Sequence, residues 1–235
     1  MIHIKESKRN LIGEKISVCI AGAFLIPSRR QYLEIGLSSI VHCLPGAEIL
    51  IGLDGDVYPP NLWEKQFNAD VKIKVHNMGL GYSWNWAYEQ STREYILHTE
   101  EDWAILNQND FEIAFQNAIK VIDEHGGIFR FDNGCQSYWK YGWKNKKIDN
   151  FKYYELNRPP NMNGFNLYYY SNRPHLKKSD LNKKLGISYP IQSVPPVVES
   201  SMCKQYWEKG KKVFCLDNSV IRHIGKESIR DIRHD

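Results

Sequence analysis

Polar and apolar positions alternate in two rhythms along the first half of the chain. Residues 16–21, Ile-Ser-Val-Cys-Ile-Ala, form a short apolar run that predicts a buried strand. Residues 32–41 carry Tyr32, Leu33, Leu37, Ile40 and Val41 at helical spacing, and Pro45 and Gly46 break that pattern. Residues 48–53 predict a second strand, stopped by Asp54, Gly55 and Asp56. A helical stretch at 61–67 and a third strand at 71–75 follow. Residues 83–91 predict a helix and 95–99 a fourth strand. Residues 110–124 predict a longer helix with Phe111, Ala114, Phe115, Ala118, Val121 and Ile122 on its buried side. Asn107 and Asn109 precede it, Gly126 and Gly127 close it, and a fifth strand is expected at 128–131.

Strand and helix in repetition predict an α/β protein: a mainly parallel, Rossmann-like sheet flanked by helices. Ligands of such sheets bind beyond the carboxyl ends of the strands, which directs attention to Gly22, Asp54, Asp56, His76, Asn77 and residues 100–102. After Asp132 the composition shifts to aromatics, Asn and Lys, with turn signals at Pro159, Pro160, Asn163 and Gly164. This smaller region is expected to be irregular, with a hairpin near 165–170, a helix at 198–209 and a strand at 212–216. One domain fits better than two, with halves at about 1–132 and 133–235.

The chain has 235 residues, enough for a core without disulfide staples. A net charge of +4 spread over both signs gives no argument for a nucleic-acid partner. Lys144, Lys146 and Lys147 read as solvated loop charge, available to a phosphate-bearing or membrane-surface acceptor. The five cysteines are odd in number and show no CxxC spacing, a pattern suited to a reducing, cytoplasmic setting. Cys19 lies in an apolar run and is expected to pack as a small hydrophobe. Residues 16–26 have some features of a signal peptide, but a long stretch with Glu6 and Glu14 precedes them, and cleavage would delete the first core strand. No run reaches the roughly 18 apolar residues that a membrane span needs.

The strongest chemical signal is Glu100-Glu101-Asp102, which closes an apolar strand and is followed at once by Trp103. Side chains of an extended chain alternate faces, so Glu100 and Asp102 are expected on one side and Glu101 on the other. Carboxylates crowded together repel, and a hard divalent cation compensates them while keeping substrate phosphates in its shell. The plainer reading is an acidic turn after an edge strand. The position of the triplet at the fourth strand of an alternating fold favours the site.

Residues 16–103 resemble the nucleotide-binding half of the GT-A glycosyltransferases, close to the family 2 type. The resemblance rests on four features in order. These are the first strand, an acid after the second (Asp54 or Asp56), a Gly- and Asn-containing segment from Asn77 to Ala87 after the third, and the acidic triplet after the fourth. It implies a GT-A fold, a nucleotide-sugar donor, a carbohydrate or glycoconjugate acceptor, and Mn²⁺ or Mg²⁺. The implied metal ligands are Glu100, Asp102 and a late histidine, His223, which would favour Mn²⁺. Donor contacts are expected from Gly22, Arg29, Asp54, Asp56, Gly79, Asn85 and Glu101. Lys226 and Arg230, four apart, are candidates to neutralise the leaving diphosphate. Glu199, opening a helical stretch after Pro195 and Pro196, matches the place of the general base of an inverting transferase. Trp139, Trp143, Phe165, Tyr168, Tyr169, Tyr170 and His175 are candidate acceptor contacts. The triplet departs from the usual pattern by beginning with Glu, whose extra methylene suits water-mediated coordination.

Two other readings stay open. A sugar nucleotidyltransferase would share the sheet, but it needs a glycine-rich loop after the first strand, and residues 21–30 contain one glycine. A non-catalytic, transferase-like carbohydrate-binding module would share the fold without the chemistry.

Overall fold

The computed structural model describes residues 12–24, 27–55, 69–76, 78–132, 143–156, 170, 172–191 and 195–225. The expected helix at 61–67, most of the hairpin near 165–170, and Asp56, Lys226 and Arg230 lie outside these residues. The elements run β1 (Ile16–Phe24), α1 (Pro27–Cys43), β2 (Glu48–Gly55), β3 (Asp70–His76), α2 (Leu80–Gln90), β4 (Tyr95–Glu100), β5 (Trp103–Ile105), α3 (Gln108–His125) and β6 (Ile128–Arg130). Then come β7 (Lys144–Ile148), β8 (Phe151–Leu156), β9 (His175–Lys178), α4 (Leu181–Leu185), α5 (Pro195–Glu208), β10 (Val213–Cys215) and β11 (Ile221–His223).

Nine strands form one sheet in the order β3-β2-β1-β4-β9-β6-β10-β8-β7. The first four run parallel, β1 pairing with both β2 and β4. Strand β9 is antiparallel to β4 and β6, and β8 is antiparallel to β10 and β7; every other strand points the same way. A mainly parallel sheet has both faces covered. Alternate β1 residues serve the two faces: Ile16, Val18 and Ile20 join α1 and α3, while Cys19 and Ala21 join α2 and α5. Helix α3 is capped by the Asn107 side chain, which accepts from the Asp110 amide. No helix among the described residues is long and apolar enough to cross a membrane.

The C-terminal half departs from the expected irregular region, because β7, β8, β9 and β10 extend the same sheet. Lys144, Lys146 and Lys147, expected in a loop, belong to edge strand β7, where lysines discourage edge-to-edge pairing. A second, two-stranded sheet pairs β5 with β11, setting His223 opposite Trp103. That ribbon brings the late part of the chain to the end of β4.

Candidate active site

Strand β4 stops at Glu100, residues 101 and 102 form a turn, and β5 begins at Trp103. The strand therefore ends inside the triplet, and Glu101 and Asp102 take their directions from the turn and its partners. Glu101 is buried, and its Oε1 accepts a hydrogen bond from Arg29 Nη1 at the start of α1. Gly22, at the end of β1, lies beneath it: a Cβ there would sit 3.0 Å from the Glu101 side chain. Gly22 and Arg29 thus shape and neutralise Glu101.

Asp102 turns the other way. Its Oδ2 lies 2.9 Å from His223 Nε2, while its Oδ1 is buried and has no hydrogen-bond partner among the described residues. The Ile224 amide donates to the Asp102 carbonyl at 2.7 Å. Gly225 closes over the carboxylate so tightly that a Cβ would stand 2.6 Å from Oδ2. The Trp103 ring meets the His223 ring edge-on at 5.3 Å. The hydrogen bond to Asp102 raises the His223 pKa above its ordinary value, against the opposing effect of burial.

Glu100 remains on the face of β4 that also carries His98. Burial, then the charges of Asp102, Glu101 and Glu199, push its carboxyl well above the usual carboxylate range. Glu101 is raised by burial and by Asp102, with Arg29 opposing. Four carboxylates therefore share one electrostatic environment at the mouth of the sheet. The expected trio of metal ligands is not assembled: among the described residues, no three His, Cys, Asp or Glu side chains are arranged to hold a metal ion. The protein brings together Asp102 and His223, with one Asp102 carboxylate oxygen lacking a hydrogen-bond partner among the described residues. That donor set fits a divalent cation whose remaining ligands come from substrate and water.

The other expected residues fall into place around this centre. Asp54, at the end of β2, accepts from the Gly79 amide at 3.3 Å, which ties the start of α2 to the sheet. Asn85 brackets the Tyr189 peptide, donating to its carbonyl and accepting from its amide at 2.9 Å each. Glu199, on the first turns of α5, accepts from the Asn172 amide at 3.0 Å. Of the candidate acceptor contacts, His175 is fully buried and Tyr170 is core, so neither is placed to meet an acceptor. Trp143 is half-buried beside Tyr154, with ring centres 5.5 Å apart.

Two groups escaped the sequence reading. Asp132 holds the fully buried Arg130 and also Arg173, whose Nη1 lies 2.7 Å away. Beneath β4, Tyr88, His98, Tyr170 and Tyr189 form a hydrogen-bonded chain that reaches Asn172. The signal for the second was His98 itself, a polar residue directly after the apolar run 95–97 in a buried strand.

No family model and no curated protein matches this chain. Solved structures do. Residues 1–349 of S. aureus TarS superpose with a TM-score of 0.59 at 18% identity, covering 88% of this chain. The same protein in complex with UDP gives 0.60. The mannosyltransferase PcManGT from Pyrobaculum calidifontis, in complex with GDP-Man and Mn²⁺, gives 0.57 at 14% identity over 93% of this chain. The chain spans 59% of the length of the TarS 1–349 and PcManGT chains. With its four parallel strands, its acidic turn after β4 and these structural neighbours, the chain has the GT-A glycosyltransferase fold.

Proposed function

We propose that this protein is a metal-dependent glycosyltransferase that moves a sugar from a nucleoside-diphosphate sugar to a hydroxyl of a carbohydrate or glycoconjugate acceptor. The observation that carries this reading is Asp102: a buried carboxylate with one oxygen on His223 and the other without a partner. An unpartnered buried polar atom is costly, and a ligand that completes it removes the cost. The crowding of carboxylates about Glu100, from Asp102, Glu101 and Glu199, supports a cationic ligand. The neighbours bound to UDP and to GDP-Man with Mn²⁺ support the donor class and the metal.

In this reading Asp102 and His223 hold Mn²⁺ or Mg²⁺, which supplies positive charge for the diphosphate of the donor. Arg29 keeps Glu101 in place at the floor of the donor site, and Gly22 leaves room for it. Asp54 and Gly79 mark the nucleoside end, at the carboxyl ends of β2 and β3. Glu199 acts as general base: it takes the proton of the acceptor hydroxyl as that oxygen bonds to the anomeric carbon. The bond from that carbon to the diphosphate oxygen breaks, the diphosphate leaves with the electron pair, and the anomeric configuration inverts. Lys226 and Arg230, and Asp56 near the nucleoside, keep the roles that the resemblance implies.

The test is a thermal-shift panel of UDP, GDP, TDP and CMP with and without Mn²⁺. One nucleotide should raise Tm with Mn²⁺ and lose the gain on adding a chelator. A shift that persists in chelator would sink the metal reading. No shift with any nucleotide would sink the donor reading.

A further inference from the structure

The floor beneath the candidate base is a directed chain of hydrogen bonds. His98 Nε2 lies 3.1 Å from the Asn172 carbonyl oxygen, which can only accept, so Nε2 carries the proton. Nδ1 is then a lone pair, and the Tyr88 hydroxyl donates to it at 2.6 Å. The Tyr88 oxygen in turn lies 3.0 Å from the Tyr189 hydroxyl, which also meets Tyr170. Tyr170 reaches the Asn172 side-chain oxygen at 3.4 Å. The imidazole is fixed from its faces as well, stacked on Trp84 at 3.6 Å and on His175 at 4.2 Å. His98 and His175 are fully buried, and Asn172 is 5% exposed. Both ends of residue 172 are therefore committed: its carbonyl to His98 and its amide to Glu199 Oε1.

We propose that His98 is a positioning residue for Glu199, acting through residue 172, with Tyr88 fixing the tautomer that lets it do so. The proposal rests on the reading of Glu199 as general base. A carboxylate anchored against a held amide keeps its direction, and misplacement of a base by an ångström is costly to the step it serves. His98 itself touches no reacting atom. Its effect belongs to the turnover step and not to donor binding, which occurs at Asp102 and His223.

The experiment compares His98→Phe, His98→Gln, Tyr88→Phe and Glu199→Gln with the wild type. It reads hydrolysis of UDP-glucose, UDP-N-acetylglucosamine and GDP-mannose, the Kd of UDP and GDP with Mn²⁺, and amide exchange at Asn172. His98→Phe keeps an aromatic ring but removes the donor. It should lower kcat by about 10- to 100-fold with nucleotide Kd unchanged, and Asn172 exchange should rise at least tenfold. His98→Gln restores a donor near the Nε2 position and should recover part of both. Tyr88→Phe should fall between, and it serves if His98→Phe does not fold. The double variant His98→Phe, Glu199→Gln should be no slower than Glu199→Gln alone. Full activity in Glu199→Gln, or no hydrolysis by the wild type, overturns the base reading and this proposal with it. An inactive Glu199→Gln beside a fully active His98→Phe overturns this proposal alone, as does unchanged exchange at Asn172.

Discussion

Two regions that adjoin on β4 treat buried ionisable groups in opposite ways. At the strand's end Glu100, Glu101 and Asp102 crowd like charges together, and one Asp102 oxygen is left bare. Two residues earlier the floor begins, where His98, His175, Lys177 and four tyrosines are packed among one another. Lys177 Nζ donates to Tyr206 at 2.9 Å and to Asn182 at 3.3 Å, and it lies 4.1 Å above the Tyr88 ring. Burial holds the pKa values of His98, His175 and Lys177 well below their ordinary values. The floor also keeps unpartnered buried atoms, His175 Nε2 and Trp84 Nε1, but its buried groups are held in their neutral forms. The mouth differs in crowding carboxylates together, which in the proposed reading is what a cation would relieve.

The largest effect expected from breaking this contrast is at Asp102. Asp102→Asn should lower sugar transfer by about 100-fold or more and abolish the Mn²⁺-dependent rise in Tm. The metal-free protein should stay folded by circular dichroism. Full transfer by this variant would remove the mouth's special status.

Next comes pH, where the two regions carry opposite signs. Glu100 and Glu101 are raised above their unfolded values, so their share of stability is present below about pH 4.3. It is lost as pH rises through the folded pKa, about 7 for Glu101. His175 is depressed, so its share is present above about pH 6.5 and falls by about 1.4 kcal/mol per pH unit below it. Glu100→Gln should therefore be more stable than wild type at pH 8, by at least about 1 kcal/mol, and not at pH 4. Urea midpoints across that range decide it, and a uniform gain at both pH values would refute the assignment.

Smaller effects sharpen the picture of the floor. Tyr206→Phe deprives Lys177 and Asn182 of a shared partner and should cost about 1–3 kcal/mol in urea unfolding. Lys177→Met replaces a buried amine by an apolar chain of similar length, and Asn182 and Tyr206 still bond each other. Its change should stay within about 1 kcal/mol. A loss like that of Tyr206→Phe would show that the amine holds the floor together.

The parallel core was legible in sequence because buried strands are short apolar runs and α3 repeats at helical spacing. Its strands lie within three residues of their expected bounds: 48–53 against Glu48–Gly55 and 16–21 against Ile16–Phe24. Strands β7 to β9 were not legible. Residues 144–148 read Lys-Asn-Lys-Lys-Ile, an edge segment with almost no apolar signal, and β9 ends in two lysines, the first of them buried. At the site, residue types were legible but their partners were not. Alternation set Glu101 apart from Asp102, and the two do part, Glu101 to Arg29 and Asp102 to His223, but the turn at 101–102 had no signal of its own. Asn172 carried no signal, because it acts through its peptide, which every residue type except proline provides in full.

The ribbon of β5 and β11 also has a meaning in time. Asp102 and His223 are separated by 121 positions in the chain, and the pairing of Ile221–His223 with Trp103–Ile105, with the Ile224 amide on the Asp102 carbonyl, joins them. A ribosome has made the first four strands and α3 long before it reaches that segment. Closing so long a loop is a late and non-local event in folding. In the proposed reading, the pair that would hold a cation therefore forms only after residues 221–223 have been made.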